Sequence, residues 1–232
     1  SRYDFKQACD TTGKTLVLGR SVPLSKDHLK SWGRRTAILL ANVLATCIPV
    51  ECYLPALQDV WDQGRWCEAT CTPCQGSRTS LTVGSYYGIS GYSDLGDKFV
   101  ANERNLTAVA TRLAAACNAP YLLFMDANVS LDDSPQLRSM INEGIVINVL
   151  DEWLRQPGPV YTFVKDGITQ PISDKVVGGT AIDYVLANEA AFQLIRDVKL
   201  EWDEAILNAL DHVPISLWVD YQQPKVTRTA PK

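Results

Sequence analysis

The sequence predicts a mixed α/β (α+β) domain built on two sheets. Short strand-like runs are spread along all 232 residues. Helical stretches stand between those runs rather than gathering at one end, as in layered α/β and α+β folds. No internal repeat of about 20–50 residues is visible, and no linker divides the chain. Residues 1–221 therefore read as one domain, followed by a polar tail, 222–232, that carries two prolines.

The elements follow in chain order. Lys14 to Leu18 is a short strand, and Val22 to Trp32 is polar and loop-like. Arg35 to Leu44 is a buried apolar run that periodicity leaves open between strand and short helix. Leu54 to Trp61 reads as irregular or briefly helical. Arg65 to Thr70 and Thr79 to Tyr87 are strand-like, and the intervening Cys71 to Ser77 is dense in turn residues, so the pair predicts an antiparallel hairpin. Gly88 to Gly96 is a loop. Leu106, Val109, Ala110 and Leu113 recur at helical spacing, which predicts a helix over Asn102 to Cys117 closed by Asn118. Tyr121 to Met125 is an apolar strand that runs into Asp126. Pro135 to Asn142 and Val146 to Leu154 read as helices, and Val160 to Val164 as a strand. Lys165 to Gly179 is a long polar loop. Thr180 to Ala187 reads as a strand with Ile182, Tyr184 and Leu186 on one face. Ala190 to Arg196 reads as a helical turn or two, Val198 to Trp202 as a strand, and Leu210 to Val219 as the last strand.

Composition sets limits on function. The net charge of −4 gives no blanket basic coat for nucleic acid, although a local basic groove would still steer an anionic ligand. The apolar runs are far shorter than the roughly 20 residues of a membrane-spanning helix, so no membrane partner is expected. Seven cysteines at scattered positions favour a reducing compartment, nuclear or cytoplasmic. Cys67, Cys71 and Cys74 tempt a zinc reading, but a closed zinc site takes four ligands. Reduced thiols in a hairpin are the simpler account.

Chemistry gathers at the predicted strand ends. Asp126 and Asn128 follow an apolar strand two residues apart, on one side if the backbone is extended. Asp183 lies inside a strand, where Asp is disfavoured. Asp211 and His212 open the last strand. Each has an ordinary structural reading: loop opening or helix capping for Asp126 to Asn128, a turn for Asp211 and His212. Together they supply what phosphodiester hydrolysis needs, namely an activated water, a stabilised anionic transition state and a neutralised leaving alkoxide. Mg²⁺ uses one or two protein carboxylates with water and phosphate oxygens, and a His held by an Asp donates or takes a proton.

In their order, Ser85 to Ser90, the Asn102 helix, Met125 to Asn128, Tyr161 to Phe163, Thr180 to Tyr184 and Leu210 to Ile215 resemble the endonuclease/exonuclease/phosphatase superfamily. The resemblance spans Arg34 to Tyr221. It implies a two-sheet β-sandwich flanked by helices, with a Mg²⁺- or Mn²⁺-dependent site at one edge. It also implies roles: Asp126 for the attacking water, Asn128 for phosphate and transition state, Asp183 for orienting the histidine and His212 for the scissile phosphate. Asp211 becomes a metal or water ligand, and Tyr87 rather than Tyr86 a phosphate contact. Met125, Leu210 and Ser90 depart from the family's Gly, Ser or Thr, and Asn. The family's first strands, with an Asn and a metal-binding Glu, have no counterpart in residues 1–33. Those strands are therefore expected to be missing, and activity to be weak or absent. The implied function is metal-dependent phosphodiester hydrolysis by a retrotransposon-type DNA endonuclease domain, acting on DNA or another phosphodiester. The alternatives are an inactive relic or binding domain of the same fold, and a phosphatase of the superfamily.

Overall fold

The computed structural model describes residues 14–18, 22–23, 32–33, 37–41, 45–50, 54–73, 79–90, 96–155, 160–164, 179–201 and 211–220. At its centre is a six-stranded mixed sheet. Its strands are β5 (Ala45–Pro49), β6 (Trp66–Pro73), β7 (Leu81–Tyr87), β8 (Tyr121–Asp126), β12 (Asp183–Ala187) and β9 (Ile147–Asn148), adjacent in that order. The expected hairpin is β6–β7, paired antiparallel from Trp66↔Tyr86 to Cys71↔Leu81. β7 and β8 run parallel. A parallel neighbour needs a crossover, which α2 (Asp97–Ala115) supplies. Smaller ladders are β1 (Lys14–Leu18) with β4 (Ala37–Ala41), β2 (Val22–Pro23) with β3 (Trp32–Gly33), β10 (Phe163–Val164) with β11 (Gly179–Thr180), and β13 (Ile195–Leu200) with β14 (Ile215–Val219).

The alternation of side chains divides the core in two. Trp66, Tyr86, Leu123, Met125, Tyr184 and Leu186 face α2 and its apolar stripe of Leu106, Val109 and Leu113. That side also holds α1 (Gln58–Asp62) and α3 (Pro135–Asn142). Leu81, Leu122, Val185 and Ala187 face the opposite way. They meet Ile195 and Val198 of β13, Ile215 and Leu217 of β14, and Val149 and Leu150 of α4 (Val149–Leu154). Two sheets packed on each other with helices outside is the architecture the sequence implied.

Several boundaries differ from the sequence reading. α2 begins at Asp97, five residues earlier than the apolar stripe suggests, because Gly96 sits extended at the N-cap and Asp97 occupies the first turn, where a carboxylate suits the helix dipole. Those first residues are largely exposed and carry no periodic signal. The stretch 146–154 is not one helix: Ile147 and Asn148 pair with Ala187 and Leu186 before α4 begins. Thr180 to Ala187 is broken at 181–182, so β11 and β12 belong to different sheets. The turn at 190–196 is shorter: α5 (Glu189–Phe192) ends early, and Ile195 is already in β13. The ambiguous run at 35–44 contains strand β4, and Leu54 to Trp61 is mostly helical. Most of the 165–179 loop, Cys74, Leu210 and the 222–232 tail lie outside the described residues.

Candidate active site

Three neighbouring strands end in one row. Tyr87 of β7 is in register with Asp126 of β8, and Asp126 with Asp183 of β12. Because Met125 and Tyr184 turn into the helix-side core, Asp126 and Asp183 turn the other way. Tyr86 likewise points to the helices, where its hydroxyl donates to the Asn102 carboxamide at 3.0 Å. Tyr87 is left on the side of the two carboxylates. These residues border a cleft of about 350 Å³ whose walls also include Ser85, Phe124 and Val213.

His212 enters from the segment before β14. Its Nδ1 lies 2.9 and 3.1 Å from the two oxygens of Asp183. Its ring meets Phe163 edge to face, with centroids 5.0 Å apart, and the two residues form a backbone bridge. The hydrogen bond to Asp183 raises the His212 pKa above its usual 6.5, and the charges of Asp183, Asp126 and Asp211 add to the rise; burial opposes it. Asp126 shares that histidine with Asp183. Burial, then the neighbouring charge of Asp183, pushes its pKa from 3.8 up to about 6, against the attraction of His212 and the hydrogen bonds from Asn128.

Asn128 reaches the site by a different route from the one its spacing suggested. Its backbone is left-handed at φ 54°, not extended. The amide of Asn128 donates to the Asp126 carboxylate at 3.0 Å, and its side-chain nitrogen to the Gly88 carbonyl at 3.3 Å. Asn tolerates this backbone region better than most residues. Gly88 is required there by a separate close approach: a Cβ on it would lie 2.2 Å from the Ala127 carbonyl oxygen. Asp211 sits at the rim with a 68% exposed side chain, one oxygen 4.0 Å from His212 Nε2.

Sequence reasoning missed the residues that hold this row in place. Asn102, fully buried, accepts from Tyr86 and from the Ile89 amide and donates to the Ala127 carbonyl at 3.0 Å. It thereby joins the exits of β7 and β8. Arg65 donates to the carbonyls of Tyr87 and Gly88 and lies over the Tyr87 ring at 5.7 Å. Both residues read from sequence as ordinary polar positions. The one available signal is a polar residue on the apolar stripe side of α2.

The donor set suits a divalent cation. Asp126, Asp183 and His212 can each offer one ligand atom, all within 4.8 Å of one another. A cation would also offset the repulsion between the two carboxylates. Oxygen-rich donors favour Mg²⁺ or Mn²⁺ over softer metals. No thiol joins such a group among the described residues; Cys67 and Cys71 are buried in β6.

No family model and no curated protein sequence matches the chain. Solved structures do resemble it. An AP endonuclease from Archaeoglobus fulgidus aligns at TM-score 0.66 and 15% identity, over 93% of this chain and 82% of its own. The 3′ phosphatase NExo from Neisseria, bound to a product DNA hairpin, aligns at TM-score 0.62 and 18% identity, over 92% and 82%. The endonuclease domain of TRAS1, a telomere-specific non-LTR retrotransposon, aligns at TM-score 0.55 and 13% identity, over 91% and 82%. The chain has the endonuclease/exonuclease/phosphatase fold.

Proposed function

We propose that this protein hydrolyses phosphodiester bonds with the help of a divalent metal, acting on DNA as an endonuclease domain. The observation that carries the reading is the juxtaposition of Asp126 with the Asp183–His212 pair, with both carboxylates lining one cleft. The structural neighbours include proteins whose names describe endonucleases and a 3′ phosphatase bound to product DNA. The TRAS1 likeness supports a retrotransposon type.

The residues divide the work. Asp126, with its pKa raised to about 6, is ionised at neutral pH and still basic enough to take a proton from the attacking water. Asp183 fixes the His212 ring through Nδ1, which leaves Nε2 to face the scissile phosphate. With its pKa raised, His212 presents a proton and positive charge to a phosphoryl oxygen. Asn128 and Tyr87 flank Asp126 and would contact the phosphate. A Mg²⁺ or Mn²⁺ ion held by Asp126, with Asp211 at the rim, would supply charge neutralisation at the phosphoryl group. Glu68 is not available for that purpose, because Arg112 binds both of its oxygens.

The test is nicking of supercoiled plasmid in Mg²⁺ or Mn²⁺. Nicking that EDTA abolishes, and that His212→Ala and Asp126→Ala each lower by about 10²–10⁴-fold, is the expected result. A folded protein that nicks in neither metal would overturn the reading in favour of a binding domain of the same fold.

A further inference from the structure

We propose that Thr162 is a positioning residue for the Asp183–His212 pair, holding the backbone on both sides of it at once. Thr162 is fully buried and touches neither the cleft nor a reacting atom. Its hydroxyl oxygen accepts from the amides of Asp183 at 2.9 Å and Ile182 at 3.2 Å. Its carbonyl oxygen accepts from the amide of Val213, the residue after His212, at 2.7 Å. Its own amide donates to the Thr180 carbonyl at 3.1 Å. One residue therefore ties together three separate segments: β11, the start of β12 that carries Asp183, and the approach to β14 that carries His212.

The arrangement explains a break in the fold. Ile182 and Asp183 stand where the chain leaves the β10–β11 ladder for the central sheet. Their amides turn to a side-chain acceptor, because a buried amide without one is costly. Threonine suits the place: its hydroxyl accepts while its methyl packs in a dry setting, and its stiff χ1 keeps the oxygen fixed. Next in sequence, Phe163 places its ring edge against His212. Residues 162 and 163 thus brace the pair from beneath and from the side. The role rests on reading that pair as the phosphoryl-transfer site.

The test uses Thr162→Val and Thr162→Ala, which remove the hydroxyl, and Thr162→Ser, which keeps it. Two readouts are taken on folded protein. The first is the low-field proton resonance of His212 Nδ1–H against Asp183, recorded in a His28→Gln background, since the chain has only two histidines. The second is the split between kcat and KM for nicking. We expect the Val and Ala variants to lose or shift that resonance and to lower kcat by about 10- to 100-fold, as small misplacements of catalytic groups do. KM should stay within about twofold, and Ser should restore both readouts. Unchanged resonance and kcat in Thr162→Val, or a Ser variant no better than Val, would overturn the proposal. If Thr162→Val does not fold, Thr162→Ala against Thr162→Ser decides it. If the wild-type protein nicks nothing, the catalytic reading falls while the resonance still decides whether Thr162 positions the pair.

Discussion

The two faces of the central sheet each carry a carboxylate, and the protein treats them oppositely. On the helix side, Glu68 of β6 is 2% exposed and both of its oxygens are taken by Arg112, with Nε at 3.0 Å. Arg112 in turn lies over the Tyr121 ring at 4.7 Å. On the other side, Asp126 of β8 has a second carboxylate beside it and a histidine shared with that carboxylate. Glu68 is neutralised and its hydrogen bonds are satisfied, as a buried charge in a core must be. Asp126 is left costly to ionise, with a pKa near 6. Groups poised in this way cluster at functional sites, so the comparison sets a structural acid against the one proposed to do the chemistry, within a single sheet.

Substitution should separate the two faces most strongly. Asp126→Asn should lower nicking by about 10²–10⁴-fold. It should also raise Tm by about 2–4 °C at neutral pH, a gain kept small because the group is partly solvated. A melting curve and a nicking assay on one preparation measure both. Glu68→Ala should do the reverse. Stranding Arg112 without its partner should cost about 3–5 kcal/mol in chemical denaturation, while nicking per folded molecule stays near wild type.

The pH dependence sharpens the same contrast. Activity should rise as Asp126 ionises, below pH 6 once a bound cation favours its carboxylate, and fall only above the usual histidine value of 6.5, once His212 loses its proton. For stability the signs are fixed. The folded state holds the Asp126 proton more tightly than the unfolded chain does, so stability falls as pH climbs from 3.8 towards 6. The His212 contribution is complete below 6.5 and is lost as pH passes the raised folded value. Melting curves recorded across that range in metal-free buffer check both signs; stability that rises between pH 3.8 and 6 would contradict the crowding of Asp126. The smallest effect should come from the exposed rim. Asp211→Asn should raise the Mg²⁺ concentration needed for half-maximal nicking by about tenfold, leaving Tm unchanged.

The contrast also shows what the sequence made legible. The strand running into Asp126 and the hairpin ahead of it are visible because apolar runs ending in a polar residue carry local information. The order of Ser85 to Ser90, the Asn102 helix, Met125 to Asn128, Tyr161 to Phe163, Thr180 to Tyr184 and Leu210 to Ile215 along the chain carries a resemblance that the fold bears out. The pairing of Glu68 with Arg112 spans 44 residues, and the Thr162 contacts to Asp183 and Val213 join distant segments. No periodicity reports such contacts. The left-handed turn at Asn128 was hidden for another reason. Spacing shows which face a residue takes only if the backbone is extended, and the chain has already left its strand by Asn128.

The most direct measurement compares plasmid nicking per folded molecule for the wild-type protein, Asp126→Asn and Glu68→Ala in the same Mg²⁺ buffer. Collapse of the rate in Asp126→Asn alone is the predicted result. A wild-type rate in Asp126→Asn, or an equal fall in both variants, would contradict the assignment of the chemistry to the Asp126 face.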